Sequence, residues 1–198
     1  MGKIIYWLSY YLVNIYLKIV HNWKVKGRKN VPKEGPLIVV SNHVSYLDPP
    51  IVGCAVNRQL HFMAKEELFE KKWFGFLLKQ IGAFPIKRGV PDKKAIRRSL
   101  EILKNGKVLC MFPEGTRIKE DKLGDAKPGV TLISLMSESP ILPVGIKHSN
   151  QKDEALKVSI GQSFSLKEYY DKKLSRQEKT EVGELIMKKI KNQLNCLD

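Results

Sequence analysis

LIVVSNHVSYLDPP, residues 37–50, is the stretch that decides the fold. Residues 37–41 are a continuous apolar run, the pattern of a strand covered on both faces. Asp48-Pro49-Pro50 reads as a helix start, with Asp48 as the cap and proline early in the first turn. A buried strand that passes through a short polar loop into a helix is the opening of an α/β unit.

The same alternation continues along the chain. Residues 60–63 form a short strand, 66–80 a helix and 83–86 a strand. Asp92 caps a helix that runs to Lys104, with Ala95, Ile96, Leu100 and Leu103 on one stripe and Lys93, Lys94, Arg97, Arg98 and Glu101 opposite. Gly106 is placed to end it. Residues 107–112 are another buried strand, 129–137 a short helix, 141–146 a strand and 156–160 an edge strand. Ser175-Arg176-Gln177-Glu178 is a capping box that opens the last helix. The polar stretch 148–154 reads as a loop between strands. Leu68, Phe69, Trp73, Phe74, Phe76, Leu77 and Leu78 are spread over most of the circumference of the 66–80 helix. That pattern fits a buried helix or one that meets lipid. Strands alternating with helices predict a single α/β domain with a mixed, mostly parallel sheet flanked by helices.

The 198 residues carry 35 Lys and Arg against 20 acids, a net charge of +15. The excess is lopsided: residues 1–100 hold 18 basic and six acidic side chains, residues 101–198 hold 17 and 14. A basic surface draws polyanions, and nucleic acid and anionic lipid are the usual two. The first segment decides between them. Residues 4–20, IIYWLSYYLVNIYLKIV, are too short and interrupted for a transmembrane span, and no small-residue cleavage site follows. At 100° per residue Lys3, Asn14, Lys18 and His21 share one narrow face and apolar side chains cover the rest. Trp7 and four tyrosines favour the headgroup level, and Lys24, Lys26, Arg28 and Lys29 follow for anionic headgroups. Residues 1–22 therefore read as a membrane-interface helix ahead of a catalytic domain over 23–198, with a core helix packed on the domain and a true span as the alternatives. The expected partner is an anionic membrane surface and not nucleic acid, of which no binding motif is present. Cys54, Cys110 and Cys196 are widely spaced and odd in number, which points to a reducing, cytosol-facing compartment. With His21, His43, His61 and His148 also scattered, no metal site is expected.

His43 follows the first buried strand directly, and ligands in α/β sheets gather at the carboxyl ends of strands. In a loop that turns into a helix, the Asp48 carboxylate can fold back to the His43 ring. It would then hold the tautomer that leaves the other ring nitrogen free as a base. The plainer alternative makes His43 a polar turn residue and Asp48 a simple cap. No GxSxG is present and no cysteine lies beside a histidine, so the chemistry points to a base acting on a substrate hydroxyl. Two further strands end in cations. GAFPIKR at 82–88 ends in Lys87 and Arg88, whose planar fork suits a phosphate. FPEGTR at 112–117 offers Gly115 for close backbone approach, the Thr116 hydroxyl and amide, and the Arg117 fork. Each, taken alone, is also compatible with a turn bearing solvated charges.

His43 with Asp48, then GAFPIKR, FPEGTR and LPVG at 142–145, stand in the order and approximate spacing of the four motifs of the glycerolipid acyltransferase family. The chain resembles its 1-acylglycerol-3-phosphate O-acyltransferase (lysophosphatidate acyltransferase) branch from about residue 24 to 146. Lys65 and Lys127-Pro128-Gly129 also resemble family positions. The resemblance implies an α/β fold with the His–Asp site beside an apolar acyl tunnel. It implies His43 as the general base and Asp48 as its orienting partner. Arg88, Gly115, Thr116 and Arg117 would bind the acceptor phosphate, with Glu114 shaping that site. The acyl donor would be a thioester of acyl-carrier protein or coenzyme A, the acceptor a lysophospholipid and the product phosphatidic acid, with no cofactor. The enzyme would sit on the cytoplasmic face of the cell membrane, peripheral or monotopic. Two alternatives stand beside it: the same chemistry on glycerol-3-phosphate or another lysolipid, and a non-enzymatic basic module that binds membrane or nucleic acid.

Overall fold

A computed structural model describes residues 2–118, 123–148 and 155–197; the expected loop after His148 lies outside them, as does the Lys3 side chain. The strands are β1 (Lys24–Lys26), β2 (Leu37–Ser41), β3 (Leu60–Lys65), β4 (Ala83–Ile86), β5 (Val108–Met111), β6 (Ile141–Lys147) and β7 (Lys157–Ile160). The helices are α1 (Gly2–Val20), α2 (Asp48–Val56), α3 (Lys72–Gln80), α4 (Lys93–Lys104), α5 (Pro128–Ser137) and α6 (Arg176–Asn195). One sheet carries the strands in the order β1-β7-β6-β2-β5-β3-β4. All pairings are parallel except β6 with β7.

The apolar run of β2 is buried at all five positions because helices cover both sheet faces. Leu37 and Val39 point into a core with Ile51, Val52 and Ala55 of α2 and Leu17 of α1. Ile38 and Val40 point the other way, to Ala95 of α4, Ile133 of α5 and Ile186 of α6. Burial of each such side chain contributes about 1.5–3 kcal/mol. The helix after β2 thus packs on one face and the helix after its neighbour β5 on the other. That divergence opens a crevice at the carboxyl ends of the two central strands.

Local chemistry sets several boundaries as expected. Asp92 Oδ1 accepts from the Lys94 and Ala95 amides, both at 3.0 Å, and starts α4. Ser175 and Glu178 close a reciprocal capping box that starts α6. Three expectations need correction. The single helix over 66–80 is two pieces, a 3₁₀ turn at Glu66–Phe69 and α3, separated by extended backbone at Lys71 (φ −75°, ψ 105°). The chain doubles back there so closely that a Cβ on Gly75 would lie 2.8 Å from the Phe69 carbonyl oxygen. The strand over 156–160 is not at an edge: β7 lies between β6 and the three-residue β1, which is the true edge. Asp48 does not cap α2; it is the first helical residue, and Leu47 occupies the cap position without a side-chain bond.

The helix α3 is not a core helix either. Trp73 is 71% and Phe76 60% exposed, and of its nine residues only Gly75 is buried. On α1, Tyr6 and Leu17 are buried, while Ile4, Leu8, Leu12, Ile15 and Ile19 stay exposed on the outward side. The Tyr6 hydroxyl pins the helix by accepting from Leu60 N (3.0 Å) and donating to Arg58 O (3.1 Å). No helix among the described residues is long and apolar enough to cross a membrane.

Candidate active site

The loop between β2 and α2 is held at both ends. Asn42 makes a reciprocal pair with the Ile146 backbone, donating to its carbonyl at 2.9 Å and accepting its amide at 2.8 Å. At the other end, proline at 49 and 50 removes two of the amides that a helix start leaves unpaired. The Asp48 carboxylate is therefore free to turn back. Its Oδ2 accepts from the Val44 and Ser45 amides at 2.7 Å each and meets His43 Nδ1 at 2.8 Å. Asp48 is wholly buried. Burial pushes its pKa up, but hydrogen bonds from His148 and His43, then the Ser45 and Val44 amides, outweigh that and hold it at about 2. An ionised carboxylate only accepts, so the facing Nδ1 of His43 carries its proton and Nε2 keeps its lone pair. Among the described residues Nε2 has no hydrogen-bond partner, and His43 lines the groove.

The segment after β5 builds the other wall. Phe112 stacks on the His43 ring with centroids 4.2 Å apart. Glu114 is buried and turned inward: Oε2 accepts from His43 N at 2.7 Å and Oε1 from Gly124 N at 3.0 Å. Burial lifts its carboxyl above the usual range against those amides and the His43 ring. Ile118 N donates to His43 O at 2.9 Å, so the two motifs are laced together by backbone. Gly115 sits at φ 69°, a left-handed turn that glycine enters without strain. Lys127 N donates to Pro113 O at 2.8 Å and ties the start of α5 to this turn. Arg117 lies over the exposed Tyr46 ring at 3.4 Å, a cation–π contact that reaches back to the His43 loop.

The structure thus joins His43, Asp48 and Glu114 directly. Gly115, Thr116 and Arg117 are exposed on the same groove, as is Arg88 beyond β4. Arg88 makes no hydrogen bond or ion pair among the described residues. Lys65 pairs with Glu67 at 2.9 Å. Cys110 of β5 is completely buried; that burial, and then the Asp48 charge, push its thiol up, so it offers no thiolate. The groove holds about 3030 Å³ and extends from Tyr6, Tyr10 and Val13 of α1 past His43 to Phe74 and Leu78 of α3. Ordinary ligand pockets hold about 300–1,000 Å³; this one has room for a long apolar chain beside a polar head.

One residue escaped the sequence reading. His148 Nε2 lies 2.6 Å from Asp48 Oδ1, so the carboxylate is shared by two histidines. The signal was strand order. β2 and β6 are parallel neighbours with Ser41 opposite Val144, so the segments leaving their ends meet. Periodicity does not encode which strands are neighbours.

Three comparisons bear on the whole. The Acyltransferase family model matches residues 22–147. The chain is 32% identical over 146 residues to the 1-acyl-sn-glycerol-3-phosphate acyltransferase of Bacillus subtilis, covering 73% of this chain and 72% of that one. It is 38% identical over 131 residues to the enzyme of that name from Streptococcus pneumoniae, covering 62% of this chain and 48% of that one. In structure it matches the 1-acyl-sn-glycerophosphate (LPA) acyltransferase of Thermotoga maritima with a TM-score of 0.70 and 25% identity, covering 96% of this chain and 78% of that one.

Proposed function

The chain belongs to the acyltransferase family, and from that premise we propose that it moves a fatty acyl group from a thioester to the free hydroxyl of 1-acylglycerol-3-phosphate, giving phosphatidic acid. The observation that carries this reading is His43, bound through Nδ1 to buried Asp48 with Nε2 open to a long groove. Nε2 takes the hydroxyl proton as the acceptor oxygen attacks the thioester carbonyl. The tetrahedral intermediate collapses, the thiolate leaves, and the His43 imidazolium returns the proton to it. Asp48 stabilises that imidazolium. Arg88, Gly115, Thr116 and Arg117 hold the acceptor phosphate, and Glu114 fixes the backbone that positions the base. The thiol carrier is acyl-carrier protein or coenzyme A. Incubation of the purified chain with an acyl thioester should release thiol only when lysophosphatidate is added, with phosphatidic acid found by mass spectrometry. Thiol release unchanged by the lipid would reject the reading.

Arg88 supplies a narrower check. Arg88→Ala is expected to raise the KM for lysophosphatidate about tenfold or more, against less than about twofold for the thioester. Arg88→Lys should recover part of this, because an ammonium lacks the two-pronged contact. Equal shifts for both substrates would make Arg88 structural.

The outward face of α1 lies in the membrane interface on the cytoplasmic side, with Lys24, Lys26, Arg28 and Lys29 against anionic headgroups and the exposed Trp73 and Phe76 of α3 beside it. Deleting α1 would also remove the buried Tyr6 and Leu17, so the clean test leaves them in place. Leu8, Leu12, Ile15 and Ile19 replaced together by serine should abolish flotation with anionic vesicles. Each loses about 1.5–3 kcal/mol of apolar transfer. Turnover of detergent-dispersed substrate should persist. Undiminished vesicle binding would refute the interfacial role.

A further inference from the structure

Asp48 has two carboxylate oxygens with unequal support. Oδ2 accepts from His43, Val44 and Ser45, all on the loop that Asp48 itself terminates. Those bonds fix the carboxylate relative to its own loop and to nothing else. Oδ1 has one partner among the described residues, His148 Nε2 at 2.6 Å. His148 lies 100 residues away in sequence, at the exit of β6. Its ring is only a quarter exposed while the Asp48 side chain is wholly enclosed. The Asn42–Ile146 pair two residues earlier ties the Asn42 side chain of the same loop to the backbone of the same strand. Loop and carboxylate are thus each moored once to the β6 exit.

We propose that His148 is a positioning residue for the His43 base: donating from Nε2 to Asp48 Oδ1, it locks the carboxylate in the orientation that presents Oδ2 to His43 Nδ1. The proposal rests on the reading of His43 and Asp48 as a general-base pair. Because Asp48 is ionised, the facing His148 nitrogen is the donor, so the two imidazoles approach one anion from opposite sides, each with its proton toward it. Without His148, Oδ1 is a buried anionic oxygen without a donor, a costly state. With only Oδ2 held, and only by its own loop, the carboxylate is free to rotate, and its bond to His43 lengthens or bends. His43 loses its fixed tautomer, and a fraction of molecules carry the Nε2 proton that makes the ring useless as a base. His148 touches neither hydroxyl nor thioester in this scheme, so its removal acts on turnover and leaves binding alone.

Two variants of the full chain decide it. His148→Leu keeps bulk and removes the donor. His148→Gln places an amide nitrogen close to where Nε2 stands. His148→Leu should lower kcat about tenfold with both KM values within about twofold, a fraction of the roughly 100-fold or more that general-base assistance supplies. His148→Gln should return kcat to within about threefold of the parent. Nitrogen-15 NMR of the His43 ring should show Nδ1–H in the parent and the Gln variant, and mixed tautomers in the Leu variant. Parent-like kcat in a folded Leu variant, an effect confined to KM, or a Gln variant as slow as Leu at unchanged melting temperature would each overturn the proposal. If the Leu variant does not fold, the Gln variant and its NMR spectrum still decide. The NMR readout is independent of which lipid accepts the acyl group. A parent inactive on lysophosphatidate would therefore fail the proposed function while leaving this test readable.

Discussion

His43→Asn is expected to fold like the parent and to lose about 100-fold to 10,000-fold in kcat, the range that general-base assistance spans. Asparagine suits the test because its amide nitrogen stands close to where Nδ1 does. It can donate to Asp48 Oδ2 and keep the carboxylate paired, where alanine would leave a buried anion short of a donor. The backbone contacts that hold the loop, His43 N to Glu114 Oε2 and Ile118 N to His43 O, do not involve the ring. The lost stacking on Phe112 costs about 0.5–1.5 kcal/mol beyond the area uncovered, which shifts the melting temperature by a few degrees at most. KM for lysophosphatidate and for the thioester should stay within about threefold, since the ring acts on the proton in flight and not on either bound ground state. Steady-state kinetics with a melting curve checks all of this. Turnover within tenfold of the parent, in a folded variant, would remove His43 from the role of base.

What could be read in the sequence follows from how local each cause is. β2, β5 and β6 are legible because a strand covered on both faces is mostly apolar, and Leu37–Val40 are buried at every position with only Ser41 polar among the five. The starts of α4 and α6 were legible because Asp92 and the Ser175–Glu178 pair act within three residues of themselves. The pairing of His43 with Asp48 was legible because both stand on one short loop at a strand end. The rest depends on partners distant in sequence. Lys24–Lys26 carries one partly buried residue between two exposed lysines and becomes a strand only because β7 lies beside it. The motif alone assigns Glu114 to shaping a phosphate site, while its inward turn depends on His43 N–H, 71 residues earlier. In sequence His148 is one of four scattered histidines, and only strand order brings it to Asp48. The break in 66–80 lies at the extended backbone of Lys71, after which a Cβ on Gly75 would have no room beside the Phe69 carbonyl; apolar spacing does not report such a turn.

Asp48→Asn separates the charge of Asp48 from its shape. The amide oxygen, turned toward the loop, can still accept from Val44 N, Ser45 N and His43 Nδ1. The amide nitrogen then faces His148 Nε2, which can accept by moving its own proton to Nδ1. Every hydrogen bond survives, and only the negative charge goes. That charge matters when His43 becomes an imidazolium, so kcat should fall about 100-fold or more while KM changes little. Stability responds as well. The Asp48 pKa is held at about 2 against 3.8 in the unfolded chain. A depressed carboxylate stabilises the fold fully above pH 3.8 and loses that contribution as pH falls through about 2. The shift amounts to about 2 kcal/mol at neutral pH. Asp48→Asn forfeits it, which lowers the melting temperature at pH 7 by about 4–8 °C for a domain of this size. Below pH 2 the parent carboxyl is itself neutral, so the gap between the two melting curves should close there. A helix cap would behave differently, since asparagine and aspartate cap about equally well and the two proteins would then melt together at neutral pH. A variant with parent turnover and parent melting at pH 7 would mean that Asp48 does no more than shape the turn, and His43 would need another group to hold its tautomer.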